Sequence, residues 1–436
     1  MKKLVPQLAP LLPSPPALVA PRPSGEGLPQ VWRAAAPDRD ARVFLRMLNL
    51  ATRVRPIEHY SLSEIRKVWR LTAQALGRRL PVASVTQLEI DGPSGPLALR
   101  VFKPHRTDQL LPAFLWCYGG GFVVGDLDTA ESICRNIAVA AGCVTIAVRY
   151  RLAPEHDLTA GREDFLAALE WIAAHGEELG IDTRRLAIGG DSAGGNICAA
   201  VAQESVRRGG PELSLQVLAY PATELVLAFP SLAENADGYL ITDSLLGQIQ
   251  LVAASAIETL DPTAPWLSPR RNPDLAKLPP ALVVSAGFDP IRDDGLDYTC
   301  RLRAAKVPVE LLHYAGQFHG FLNFDAVVGA GQDALQRIGA ALAHVFAGEP
   351  ASDRTLEIAD ETAPGGAVGE ATRTALTVWS ATDGWRDALL RRVSPTLAGF
   401  TQWMLTPCLA PANLMRRQLD EQLQRRITTQ TYPVRP

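Results

Sequence analysis

The chain is poor in the features that mark several large functional classes. Its 436 residues hold only six cysteines. Cys117, Cys134, Cys143, Cys198, Cys300 and Cys408 form no C-x-x-C pair and no zinc-ligand spacing, which argues against a disulfide scaffold and a structural zinc site. Most sit in apolar runs, where free cysteine behaves as a small buried hydrophobe, and a reducing compartment suits them. The net charge of −3 gives no global attraction for nucleic acid, so no nucleic-acid partner is expected. There is no G-x-x-x-x-G-K-[ST] run and no Rossmann glycine spacing, so no nucleotide cradle is expected either. The start of the chain, Lys2 and Lys3 before Leu4 to Ala20, resembles an export signal only superficially. Pro6, Pro10, Pro13, Pro15 and Pro16 interrupt the apolar run and break the helix that such a signal needs. Residues 1–37 are therefore read as a disordered Pro-rich leader, and a cytoplasmic location is expected.

What is present is a globular composition, 47% hydrophobic and 20% charged, able to bury a sizeable core. Residues 38 to 80 carry apolar side chains at helical spacing (Val43, Leu45, Met47, Leu48), with Pro56 dividing two helices. Thr86–Ile90 and Leu97–Phe102 read as a hairpin. Apolar strands then alternate with helices. Strands are predicted at 113–118, 144–148, 185–189, 215–220, 281–285 and 309–314. Helices are predicted at 128–141, 161–175, 194–207, 289–305 and 332–346. This alternation predicts an α/β fold, a mostly parallel sheet with helices on both faces, for a catalytic domain over 38–348.

One short run in that domain carries chemistry. Gly190-Asp191-Ser192-Ala193-Gly194 fits G-x-S-x-G between a predicted strand and a predicted helix. That context belongs to a nucleophile elbow, whose tight turn needs tiny residues two before and two after the serine. A serine hydroxyl needs a base, and the base needs an orienting acid, in the chain order Ser, Asp or Glu, His on such a scaffold. Three histidines follow Ser192. His344 falls in the last predicted helix and is read as a surface residue. His313 falls inside a predicted strand and is read as a structural histidine. His319 lies in a loop just past that strand, where parallel sheets place their chemistry, and is assigned as general base. Asp289 occupies the matching loop one strand earlier and is assigned as the acid. Asp293, Asp294 and Asp297 fall in the following helix and are read as surface or helix N-terminal charges. Gly119-Gly120-Gly121 follows the strand ending at Cys117 and lets backbone amides face a site without a Cβ in the way. Gly120, Gly121 and Ala193 are the expected oxyanion-hole donors.

Together these runs resemble the hormone-sensitive lipase family of α/β-hydrolases. The resemblance rests on Gly-Gly-Gly-Phe (119–122), Tyr-Arg-Leu-Ala-Pro-Glu-His (150–156), Gly-Asp-Ser-Ala-Gly-Gly-Asn (190–196), Asp-Pro-Ile-Arg-Asp-Asp-Gly (289–295) and His-Gly-Phe (319–321), in family order. The separations 289 − 192 = 97 and 319 − 289 = 30 also resemble those of the family. The likeness covers roughly residues 40 to 347. It implies a Ser192–Asp289–His319 triad and a cap built from residues 38–80 and the segment after Tyr220. It implies hydrolysis of small carboxylic esters, mostly of short to medium acyl chain, with no cofactor and no metal. Three departures stand out. Tyr118 replaces the usual His before the glycines, Arg149 replaces a common Asp, and Asp157-Leu158-Thr159-Ala160 replaces a Pro-rich run. Two other readings share the scaffold: a non-catalytic ligand receptor, and an acyltransferase, amidase or lactonase using the same triad.

Beyond Gly348 the composition changes. Residues 349–371 are read as an acidic linker and residues 372–436 as an Arg-rich extension, with nine Arg against four acids over 373–436. No charge occurs from Val393 to Met415, a length able to span a bilayer, but Pro395, Pro407 and Pro411 make it a poor transmembrane helix. The extension is read as helices packing on the catalytic domain or on a second copy in a homodimer. A weak membrane-surface contact through Trp385, Phe400 and Trp403 is the alternative.

Overall fold

The structure, a computed structural model, describes residues 19–360 apart from 227, several positions between 375 and 392, and 427–433. Two helices lead into the domain, α1 (Arg39–Val54) and α2 (Leu62–Leu76). Ser61 opens α2 with a capping box: its hydroxyl accepts from the Glu64 amide, and the Glu64 carboxylate accepts from the Ser61 amide. Strands β1 (Ser84–Gly92) and β2 (Gly95–Lys103) form the expected antiparallel hairpin.

The alternating part follows as β3 (Leu111–Cys117), α3 (Glu131–Ala141), β4 (Val144–Val148), α4 (Ala160–His175), β5 (Ile181–Asp191), α5 (Ala193–Arg208) and β6 (Leu213–Ala219). A short α6 (Pro230–Glu234) and the longer α7 (Asp243–Ile257) interrupt the pattern before β7 (Ala281–Phe288), α8 (Arg292–Ala304), β8 (Val309–Phe318) and α9 (Gly329–Phe346). With β9 (Arg354–Asp360) and β10 (Ile427–Pro433), the strand order is β1-β2-β4-β3-β5-β6-β7-β8-β9-β10. β3 through β9 pair in parallel across the sheet, flanked by antiparallel partners at both ends. β4, β7 and β8 are buried along their whole length, which is why they read as continuous apolar runs rather than alternating ones. α3 packs against α9 and α4 against α5, so helices cover both faces.

Both ends of the described chain differ from the sequence expectation. Residues 19–37 were expected within an unstructured leader, yet they lie along the domain as an irregular strap. The Ala20 amide donates to the Ala228 carbonyl at 2.8 Å, and the Ala34 and Asp38 amides each donate at 2.9 Å to the carbonyls of Ala315 and Gly316. Proline prevents regular secondary structure but not tertiary hydrogen bonding through its neighbours. Residues 1–18 lie outside the described residues.

Residues 354–360, expected in an acidic linker, instead form β9 beside β8. There Arg354 pairs with Glu310 at 2.6 Å, and buried Glu357 accepts from the strap amides of Gln30 and Val31. The strand satisfies the outer row of amides and carbonyls on β8, which would otherwise be an open edge of a fully buried strand. β10 pairs with β9, so the far extension supplies a strand as well as helical residues between 375 and 392. Among the described residues no helix is long and apolar enough to cross a membrane, and the run Val393–Met415 lies outside them.

Candidate active site

β5 delivers Ser192 to the end of the sheet on a strained turn, with φ 55° and ψ −120°. The turn closes because its flanking glycines touch backbone. A Cβ on Gly194 would lie 2.6 Å from the Tyr118 carbonyl oxygen, and one on Gly190 would lie 2.5 Å from the Gly194 carbonyl carbon. β8 runs to Phe318, so His319 follows directly on the strand, and Asp289 follows β7 in the same way. Phe44 of α1 stacks on Phe318 at 5.3 Å and meets Phe324 in a tilted contact at 4.5 Å, pinning both sides of the histidine loop.

These three loops bring the predicted residues into one relay. His319 Nε2 lies 2.9 Å from Ser192 Oγ, and His319 Nδ1 lies 2.8 Å from Asp289 Oδ2. Asp289 is fully buried, and its other oxygen accepts from the Ile291 amide at 2.8 Å. With Asp289 accepting at Nδ1, Nε2 is left to accept from the serine hydroxyl. The glycine loop faces the same point. Gly120 has φ +132°, and a Cβ there would sit 2.8 Å from the Val124 carbonyl carbon, so no other residue fits without moving the loop. Among the described residues the Gly120 and Gly121 amides donate to no backbone carbonyl. Ala193 is the first residue of α5 and has no intrahelical acceptor for its amide.

Several supporting residues brace the site through partners that the motifs do not name. Asp191, buried beside the serine, ties three loops together. One carboxylate oxygen accepts from the Gly119 amide at 2.8 Å and the other from Asn323 Nδ2 at 3.2 Å. Burial pushes its carboxyl pKa upward, against the pull of those two donors. Tyr118, the departure from the family pattern, is braced through its ring and backbone. Its ring stacks on Tyr150 at 4.5 Å, and the Tyr150 hydroxyl donates to the Tyr118 carbonyl at 2.7 Å. Arg162, fully buried, lies over the Phe122 ring at 5.2 Å and bonds Asn196. Burial pulls its pKa down to about 9. Asn196 in turn donates to the carbonyls of Ala222 and Leu267, fastening the elbow helix to the segment beyond Tyr220. From that segment, α7 covers the loop: a Cβ on Gly121 would lie 2.8 Å from Ile249.

The competing residues separate cleanly. His313 is buried in β8, with Nε2 3.0 Å from the Val31 carbonyl and Nδ1 3.3 Å from Ser285 Oγ. His344 is exposed and lies 3.1 Å from the Pro350 carbonyl. Asp293 and Asp294 correct the expectation of surface charges, since both are buried at the start of α8. Asp293 pairs with Arg292 at 2.7 Å and accepts from the Ser231 amide at 3.0 Å. Asp294 accepts from the Thr223 hydroxyl and, at 3.1 Å, from the Glu224 amide, and burial pushes its pKa up to about 8. Both anchor the segment that carries α6 and α7, a role that only the tertiary fold creates. Cys117, Cys134, Cys143 and Cys198 are free and buried, and Cys300 is free and half-buried.

The sheet topology, with a serine elbow after β5 and partners after β7 and β8, defines the α/β-hydrolase class. A family model of the alpha/beta hydrolase fold matches residues 114–323. The chain is 44% identical over 259 residues to esterase LipI of Mycobacterium tuberculosis, covering 59% of this chain and 81% of that protein. It is 41% identical to carboxylesterase NlhH of the same organism, covering 56% and 77%. Among solved structures, an α/β-hydrolase enzyme from the metagenome of Lake Arreo, Spain, is 34% identical with a TM-score of 0.68, covering 71% of this chain and 98% of that one. The Pyrobaculum calidifontis esterase is 32% identical with a TM-score of 0.62, covering 69% and 97%. The chain belongs to the hormone-sensitive-lipase-like family of α/β-hydrolases, with the bacterial-type carboxylesterases.

Proposed function

We propose that this member of the family hydrolyses small-molecule carboxylic esters, of short to medium acyl chain, through an acyl-enzyme on Ser192. The observation that carries the reading is the unbroken relay from Ser192 Oγ through His319 to buried Asp289, at 2.9 and 2.8 Å. His319 Nε2 takes the hydroxyl proton as Ser192 Oγ attacks the ester carbonyl. The Nδ1–H stays hydrogen-bonded to Asp289, which holds the ring and stabilises its transient positive charge. Negative charge on the carbonyl oxygen is met by the amides of Gly120, Gly121 and Ala193, which are already oriented before reaction. Collapse of this intermediate breaks the bond to the alkoxide, which leaves as the alcohol with the proton from His319. Water then repeats the cycle on the acyl-enzyme and releases the acid. The names of the relatives, esterase and carboxylesterase, support the same substrate class.

The test uses 4-nitrophenyl acetate, butyrate and laurate with purified full-length protein, alongside Ser192→Ala. Expected is turnover favouring the shorter esters, lost in the variant, and labelling of Ser192 by a fluorophosphonate. No turnover on any ester and no labelling would overturn the reading in favour of a receptor. Turnover that forms new esters or amides when alcohols or amines are added would favour an acyltransferase.

A further inference from the structure

An open groove of about 490 Å3 runs along α2. Four cations line it, Arg66, Lys67, Arg70 and Arg392, with one acid, Glu155, and with Leu62 and Ser63. Two of the cations are committed. Arg66 grips Glu155 at 2.7 and 2.8 Å and donates to the carbonyls of Val123 and Ala153 at 2.8 and 2.9 Å. Arg70 pairs with Asp126. Lys67 and Arg392 are exposed in the groove, and neither has a partner among the described residues. Arg70 also lies 4.0 Å from Asp128, so among the described residues Lys67 and Arg392 are the two lining cations with no acid paired to them.

Two further observations tie the groove to the site. Arg66 holds the carbonyl of Val123, two residues beyond the Gly121 amide. Leu62 packs, with Phe122, Val124 and Ile249, on the small cluster of Val123, Ala153, Leu158, Ala256 and Leu267. Arg66 and Leu62, which line the groove, thus both contact the segment that follows the glycine loop. Its other side comes from the C-terminal extension. A Cβ on Gly384 would lie 2.8 Å from the Ala75 carbonyl carbon, and Trp385 and Ala388 pack on the core. From the end of α2 near Ala75, the helical residues run back along it and bring Arg392 to Ser63 and Lys67.

We infer that this groove binds an anionic group, a carboxylate or a phosphate, through Lys67 and Arg392. Resting on the ester-hydrolase reading, it names a substrate class: esters that carry a negative charge remote from the scissile bond. An exposed pair of cations attracts an anion over about a Debye length, roughly 10 Å at 0.1 M salt, so the preference is salt-dependent. The same chemistry would also recognise an anionic lipid headgroup.

The experiment compares kcat/KM for the 4-nitrophenyl monoesters of succinic, adipic and sebacic acid with neutral esters of equal length. It uses the full chain and the Lys67→Ala, Arg392→Ala and double variants, at low salt and at 0.5 M NaCl. Expected is an acid-over-neutral preference in the wild type, carried by KM, that falls about 5-fold in the double variant and shrinks in high salt, as two exposed ion pairs dictate. Sedimentation with phosphatidylglycerol and phosphatidylcholine vesicles forms the second arm. Loss of phosphatidylglycerol binding in the double variant, with an unchanged ester preference, supports the anion site and assigns the anion to a lipid headgroup. An acid-to-neutral ratio and a vesicle binding that are both indifferent to the two substitutions overturn the inference. Failure of the wild type on the neutral esters would instead overturn the ester-hydrolase reading.

Discussion

Acidification should loosen this protein through a residue that takes no part in the proposed chemistry. His313 is buried in the middle of β8, where its Nε2 bonds the Val31 and Trp32 carbonyls of the N-terminal strap at 3.0 and 3.1 Å. Burial, followed by the nearby Arg292 cation, pulls its imidazole pKa down from 6.5 to about 4, while the two carbonyls pull the other way. In the unfolded chain the ring takes a proton below about 6.5, but in the folded protein it stays neutral until about 4. Stability tied to this ring is therefore complete above pH 6.5 and drains away as pH falls toward 4. Between pH 7.5 and 5 the drain is about 2 kcal/mol, from the proton-binding difference of the two states at 1.36 kcal/mol per pKa unit. Asp325 and Asp294, raised by burial to about 6 and about 8, work in the opposite direction, because their folded carboxyls take protons first as pH falls. The whole-protein pH curve mixes these contributions, so the comparison has to be with His313→Gln, which keeps an amide donor for the strap but cannot titrate. Urea unfolding of both proteins, followed by tryptophan fluorescence, should show the wild type losing about 2 kcal/mol relative to the variant on going from pH 7.5 to 5. A gap that holds steady to within about 0.5 kcal/mol across that range would refute the reasoning, that being less than a third of the shift expected from linkage. At pH 7.5 His313→Gln should also keep its ester turnover, whereas His319→Gln should lose it.

Asp191→Ala removes the acceptor shared by the Gly119 amide and Asn323, so kcat should fall about 10- to 100-fold with KM little changed, as for a lost interaction that matters mainly in the transition state. Steady-state kinetics with 4-nitrophenyl butyrate checks this, and an equal rise in KM with no change in kcat would contradict it. Gly120→Ala forces the glycine loop away from Val124, and a loss of at least about 100-fold in kcat is expected from displaced oxyanion donors. Tyr150→Phe keeps the ring stack on Tyr118 but drops the hydrogen bond to its carbonyl. It should cost about 1 kcal/mol in thermal or urea unfolding, and a larger cost would mean that the hydroxyl does more than brace that loop.

Local composition alone specified much of this molecule. Continuous apolar runs, glycines at tight turns and the spacing of helical faces are properties of neighbouring residues, so the parallel sheet, the elbow at Ser192 and the loops carrying Asp289 and His319 could be read from the chain. Position relative to strand ends was enough to prefer His319 over His313, because a side chain in the middle of a central strand is enclosed while one just beyond its end faces the site. The acid-rich stretch after Gly348 misled for the same reason. Its charges suggest solvent, but Glu357 is buried against strap amides and exposed Arg354 pairs with buried Glu310, partners more than forty residues away in sequence. The strap over His313, the burial of Asp293 and Asp294, the Asp191 brace and the meeting of Lys67 with Arg392 have no local signature. Each depends on segments that only the folded backbone brings together, where burial decides whether a polar side chain is surface or structure. The sequence by itself determined the class of chemistry and where on the sheet it sits, and the tertiary structure decided what braces that site and which charges stand beside it.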